Sequence, residues 1–155
     1  MKVRHIVCYI MASIAILCCY SCKKTDANRE DEIIATGIKE IKLPQQYNWL
    51  VVLPGLGCRG CIQEAEAFMK TYVEKPNIMF VLTKVQSMKI LEQKVGKTLH
   101  DRQNVYIDKQ GYFDIPTNNT IYPCIVQLDN GKPVQHQFQS PANGQAFQLL
   151  KTKIE

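Results

Sequence analysis

The sequence predicts an α/β fold, a central mixed sheet flanked by helices, and three observations carry the prediction. Residues 49–53 and 78–83 are apolar runs, Trp-Leu-Val-Val-Leu and Ile-Met-Phe-Val-Leu-Thr, of the kind that forms strands buried on both faces. Between them Cys61, Ala65, Phe68 and Tyr72 recur at helical spacing, with Ile62 and Met69 widening the apolar stripe. Strand, helix and strand in that order imply a right-handed crossover and a parallel pair. Farther on, Asp129-Asn130-Gly131 joins two strand-like segments, and an Asn-Gly turn makes them an antiparallel hairpin.

The chain begins with a segment that stands apart from this fold. Lys2, Arg4 and His5 precede an apolar run over residues 6–19, too short to span a membrane comfortably and matching the core of a signal peptide. Tyr20-Ser21-Cys22-Lys23-Lys24 follows, a small residue before a cysteine with a polar tail behind it. This arrangement resembles the processing site of bacterial lipoproteins. Residues 1–21 are accordingly read as the signal peptide and Cys22 as the expected lipidation site. Cys18 or Cys19 is the alternative acceptor, and cleavage without lipidation is the plainer outcome. Residues 23–32 contain no apolar side chain apart from Ala27, so 22–32 is expected to be a flexible tether. Residues 33–155 suit one domain with its own core.

Charge and cysteine usage narrow the function classes. The chain carries 19 Lys and Arg against 14 Asp and Glu. Lys2 and Arg4 leave with the signal, so the mature chain holds a net charge of only about +3. No basic stripe with interleaved aromatics is present, which argues against nucleic acid. Of seven cysteines, Cys8, Cys18 and Cys19 fall in the signal segment and Cys22 is assigned to lipid. Cys58, Cys61 and Cys124 remain for the domain, too few for a disulfide-stapled framework.

In order along the domain, residues 33–43 read as a strand or a short helix, with a leading strand preferred. Residues 49–53 form the first central strand, the amphipathic helix follows Cys58, and residues 78–83 form the second strand. Ser87 can cap a helix carrying Ile90, Leu91 and Val95, with Gly96 as its stop. Residues 105–107 make a short strand, and residues 121–128 a longer one entered through Pro123. Residues 133–138 return as an edge strand, where a leading proline is tolerated. Ser140-Pro141 reads as the cap and first turn of a terminal helix bearing Phe147, Leu149, Leu150 and Ile154.

Within this order, Pro54-Gly55-Leu56-Gly57-Cys58-Arg59-Gly60-Cys61 ends a strand and opens a helix. Two thiols therefore stand at a helix N-terminus, where unpaired N–H groups and the helix dipole favour an anion. The thiolate is such an anion, and it is the reactive form of cysteine. The pattern points to a redox dithiol.

The succession β-α-β, a helical connection, a hairpin and a last helix, with Cys58-x-x-Cys61 after the first strand and Tyr122-Pro123 opening the hairpin, resembles thioredoxin-like proteins over residues 49–154. In that family the proline is cis and faces the dithiol, and the residue before it pairs with the substrate backbone. The resemblance therefore implies a substrate-binding role for Tyr122 and Pro123. Cys61-Ile62-Gln63-Glu64 brings the closer resemblance, to the membrane-tethered TlpA-like branch, which carries a glutamate three residues after its second cysteine. Gly57 stands where that family usually has tryptophan, and Val52 where thioredoxin has a buried aspartate.

The resemblance implies an envelope thiol–disulfide oxidoreductase, facing the periplasm or anchored in the outer membrane by its lipid. Cys58 attacks, with Arg59 beside it favouring the thiolate, Cys61 resolves the mixed disulfide, and Glu64 takes the Cys61 proton. Its partners are envelope proteins with thiols or disulfides, together with a second protein that supplies or accepts electrons. Reduction of partner disulfides is the preferred direction, and no cofactor is needed beyond the Cys58–Cys61 redox disulfide. Glu64 reads equally as a solvated helix residue. The alternative from another class is a non-catalytic lipoprotein that binds a peptide or a metal at the same face. A single C-x-x-C is weak support for metal, since zinc sites usually need a second pair. Cys124 reads as a small buried strand residue rather than a third thiol ligand, and His100 and His136 as surface residues. A thiol peroxidase pattern, P-x-x-x-T-x-x-C, fits Pro54 and Cys61 but lacks its threonine, which Cys58 replaces.

Overall fold

Alternation along each strand sorts the side chains between two apolar cores, one on each face of the sheet. The computed structural model describes residues 25–155. The expected signal segment, residues 1–21, and Cys22 lie outside the described residues. Five strands, β1 (Trp49–Pro54), β2 (Ile78–Thr83), β3 (Val105–Asp108), β4 (Cys124–Asp129) and β5 (Lys132–Phe138), form one sheet in the order β3-β2-β1-β4-β5. β1, β2 and β3 are parallel, while β4 runs antiparallel to β1 and β5 antiparallel to β4. Val51, Leu53, Phe80, Leu82 and Ile125 feed one core; Leu50, Val52, Val81, Cys124 and Val126 feed the other. Both faces being covered is why the two central strands are apolar throughout.

Four helices supply the cover: α1 (Asp26–Glu40), α2 (Arg59–Tyr72), α3 (Met88–Val95) and α4 (Ala146–Ile154). Phe68 of α2, Leu91 of α3 and Phe147 of α4 enter the first core, where the Phe68 and Phe147 rings lie 4.9 Å apart. Ile34 and Ile38 of α1 enter the second core, with Phe113 against the helix at Gly37. A Cβ at Gly37 would stand 2.9 Å from that ring, so the close approach requires glycine. The architecture is an α/β five-stranded mixed sheet flanked by helices, consistent with a thioredoxin-like fold.

Local signals set several boundaries. Ser87 Oγ accepts the Ile90 N–H at 3.4 Å to start α3, and Gly96 ends it at φ +70°. Asn130 and Gly131 both adopt positive φ, as the β4–β5 turn requires. Two expectations are corrected. Residues 33–43 do not form a leading strand: they belong mostly to α1, which begins inside the expected tether. Thr25 caps that helix by accepting the Asn28 N–H at 3.3 Å, and Ile34 and Ile38 lie one turn apart on its buried side. Ser140-Pro141 does not start the last helix either. Ser140 forms an isolated bridge to Asn143, and α4 begins only at Ala146. No helix among the described residues is long and apolar enough to cross a membrane.

Candidate functional site

The site is built first by backbone packing. At the end of β1 the Gly55 N–H donates to the Thr83 carbonyl at 2.7 Å, the last bond to β2 before the chain leaves the sheet. Gly57 follows at φ +147°, and a Cβ there would come within 2.2 Å of the Ile121 carbonyl oxygen. With glycine in place, the next residue can bond that same oxygen: the Cys58 N–H donates to it at 3.0 Å. Ile121 closes a 3₁₀ turn (Asn118–Ile121), so this turn sets where the first cysteine sits. A tryptophan in place of Gly57 would not fit this approach.

Cys58 is the N-cap residue of α2, and its carbonyl accepts the Ile62 N–H at 2.9 Å. Cys58 and Cys61 are joined as a disulfide, with their Cα atoms 5.3 Å apart. Cys58 is half-buried and Cys61 only 7% exposed, so an incoming thiol reaches Cys58 more readily. The first turn of α2 carries no acidic residue to compete for the orphan N–H groups, and Arg59 is exposed beside the pair.

Glu64 lies one turn beyond Cys61, and its carboxylate accepts a hydrogen bond from Gln139 Nε2. Gln139 is 2% exposed, and its side-chain amide and its backbone N–H are all hydrogen-bonded. Nε2 also donates to the Gly144 carbonyl at 2.9 Å, Oε1 accepts the Phe147 N–H at 3.2 Å, and the backbone N–H donates to the Pro123 carbonyl at 2.9 Å. Glu66, in contrast, is the buried acid of α2; Lys94 Nζ lies 2.7 Å from its carboxylate.

Tyr122 and Pro123 depart from the expectation of a cis proline: there is no cis peptide bond among the described residues. Tyr122 is extended, at φ −109° and ψ 144°, the conformation favoured before proline, and the trans isomer is the lower-energy default. The Tyr122 N–H bonds the Asn119 carbonyl at 2.9 Å and so is committed within the chain. Tyr122 lines an open groove with Asn118, Ile121 and Pro141, while Pro123 is buried.

Cys124 is 1% exposed and sits on the sheet face covered by α1, in register with Val52. Burial, with smaller contributions from the charges of Glu30 and Asp31, pushes its thiol far above the ordinary value. His100 is exposed, with Nδ1 2.9 Å from Glu92 Oε1. His136 is not a surface residue. Its side chain is 13% exposed, 3.1 Å from Glu30 and 2.9 Å from Asp31, and edge-on to Phe138. An edge-strand position misleads here because α1 crosses β5.

Glu30 is the centre of that cluster, and sequence reasoning passed over it. It accepts hydrogen bonds from Thr117 Oγ1 and Asn119 Nδ2, which tie α1 to the turn that holds Cys58. Burial alone would raise its carboxyl; the bonds from Thr117, Asn119 and His136, with the His136 charge, outweigh this and hold it below the ordinary value. Among the described residues, no group of three His, Cys, Asp or Glu side chains is arranged to hold a metal ion. Comparison with protein-family models, with curated proteins and with solved structures returns no match.

Proposed function

We propose that the chain is an exported thiol–disulfide oxidoreductase of the TlpA-like kind, tethered by a lipid on Cys22 and acting on disulfides of envelope proteins. The observation that carries this reading is the Cys58–Cys61 disulfide at the N-terminus of α2, on a sheet with thioredoxin-like strand order. In the reducing direction the Cys58 thiolate attacks one sulfur of a partner disulfide. A Cys58–partner S–S bond forms and the other partner sulfur leaves as a thiolate. Cys61 then passes its proton to Glu64 and attacks Cys58 Sγ. The intramolecular disulfide forms, the second partner thiolate leaves, and two electrons have moved to the partner. The proton held by Glu64 and one from solvent, matching the one Cys58 gave up on ionising, end on the two released sulfurs. A second envelope protein must then reduce Cys58–Cys61.

The helix end favours this order, because the capping position stabilises the thiolate of Cys58 ahead of the more buried Cys61. The bond from the Tyr122 N–H to the Asn119 carbonyl takes that donor away from an incoming peptide backbone, both in this reading and in the alternative of a non-catalytic peptide-binding module. Turnover of a protein disulfide by the reduced full-length chain separates the two. The oxidoreductase reading expects Cys61→Ser to accumulate a mixed disulfide through Cys58 and Cys58→Ser to form none. A chain that turns over no disulfide and traps no partner supports the binding module.

A further inference from the structure

We infer that Gln139 is a positioning residue for the resolving step, holding the Glu64 carboxylate where it takes the proton of Cys61. The inference rests on the exchange chemistry proposed above and adds a residue that no motif signals. Glu64 stands on an exposed part of α2 and, among the described residues, has no ion-pair partner. A glutamate so placed samples several rotamers, which disperses its carboxylate over the helix surface. Gln139 is the donor that ends this freedom.

The amide itself is fixed from behind. Its oxygen accepts the Phe147 N–H in the buried first turn of α4, and its nitrogen donates to the Gly144 carbonyl in the exposed segment just before that helix. Reversing the amide would set its oxygen against the Gly144 carbonyl and the Glu64 carboxylate, so only one orientation satisfies all partners. The remaining N–H of Nε2 must therefore point at Glu64. Gln139 occupies one carboxylate oxygen, and the other is assigned to the proton of Cys61, three residues earlier on the same helix. The Gln139 backbone N–H also bonds the Pro123 carbonyl, so the residue just after β5 that holds the proline segment also carries the side chain that holds the proton acceptor. General-base assistance depends on such placement, because the base must lie within hydrogen-bond reach of its proton.

The test separates the two steps of exchange in the reduced full-length chain, with glutathione disulfide as the probe. Rapid acid quench and alkylation mass measure the Cys58–glutathione mixed disulfide and its conversion to the Cys58–Cys61 disulfide. Gln139→Leu is expected to slow the conversion roughly tenfold and to leave mixed-disulfide formation unchanged. Gln139→Asn, one methylene shorter and still polar, should slow the same step and serves if the leucine variant does not fold. In a Glu64→Gln background the Gln139 substitution should add no further slowing, since the two act as one unit. Equal slowing of both steps, an unchanged conversion, or additive effects with Glu64→Gln would each overturn the inference. If the unsubstituted chain forms no mixed disulfide at all, it is the exchange reading that fails, and the two failures are told apart.

Discussion

Cys61 and Cys124 are both buried cysteines, 7% and 1% exposed, yet their surroundings prepare them for opposite fates. Cys61 lies in the first turn of α2, among unpaired N–H groups, with a half-buried partner three residues earlier and a carboxylate one turn later. Cys124 is the first residue of the interior strand β4, on the face closed by α1, with the negative charges of Glu30 and Asp31 for electrostatic neighbours. Burial raises the cost of a thiolate at both places. Only at the helix end is there something to offset it. In the proposed exchange, the two cysteines therefore differ in the element that surrounds them rather than in how deep they lie.

The largest expected effect breaks the first half of this contrast. Cys58→Ser should reduce disulfide turnover to the uncatalysed level, whereas Cys124→Ser should leave it unchanged, as measured by thiol release from a protein disulfide. Next is the backbone approach that forms the helix end. Gly57→Ala places a Cβ against the Ile121 carbonyl at a positive φ, and should destabilise the fold by about 3 kcal/mol in denaturant titration.

The anchor on the α1 side should matter less. Glu30→Gln removes a hydrogen-bonded buried charge and should cost about 1–3 kcal/mol at pH 7. Because the folded carboxyl sits below its ordinary value of 4.5, the stabilisation is present above that value and disappears as pH falls through the lower folded value. Unfolding curves of wild type and Glu30→Gln should therefore differ at pH 7 and converge in acid. The smallest effect sharpens the contrast. Cys124 should resist alkylation in the native state, and should still resist it in Glu30→Gln, since burial is the larger cause of its raised thiol value.

Much of this was legible in the sequence where one kind of pattern decides structure. The apolar runs of β1 and β2, the Ser87 cap, the Asn130-Gly131 turn and the Cys58–Cys61 pair at a helix start need only local chemistry, and each stands where it was expected. α1 was hidden because its buried side opens with a charged residue: Glu30 is inside through hydrogen bonds to distant residues, which periodicity of apolar residues does not register. His136 was misjudged for the same reason, since its partners come from a helix more than 100 positions away. The isomer of Pro123 depends on the surrounding turn, where the Tyr122 N–H is already used, and no dipeptide signal reports that. Gln139 follows Phe138 at the end of β5 with nothing in its spacing to mark it. Its role arises from four partners brought together by the fold.

The central claim is that Cys58 and Cys61 form a reversible redox couple, and equilibrium titration of the full-length chain in dithiol/disulfide buffers tests it most directly. Alkylation mass should show one two-electron transition confined to Cys58 and Cys61, at a low potential for a reductase, with Cys124 a free thiol at every point. A pair that stays locked as a disulfide through the whole range, or a transition that involves Cys124, would contradict the account.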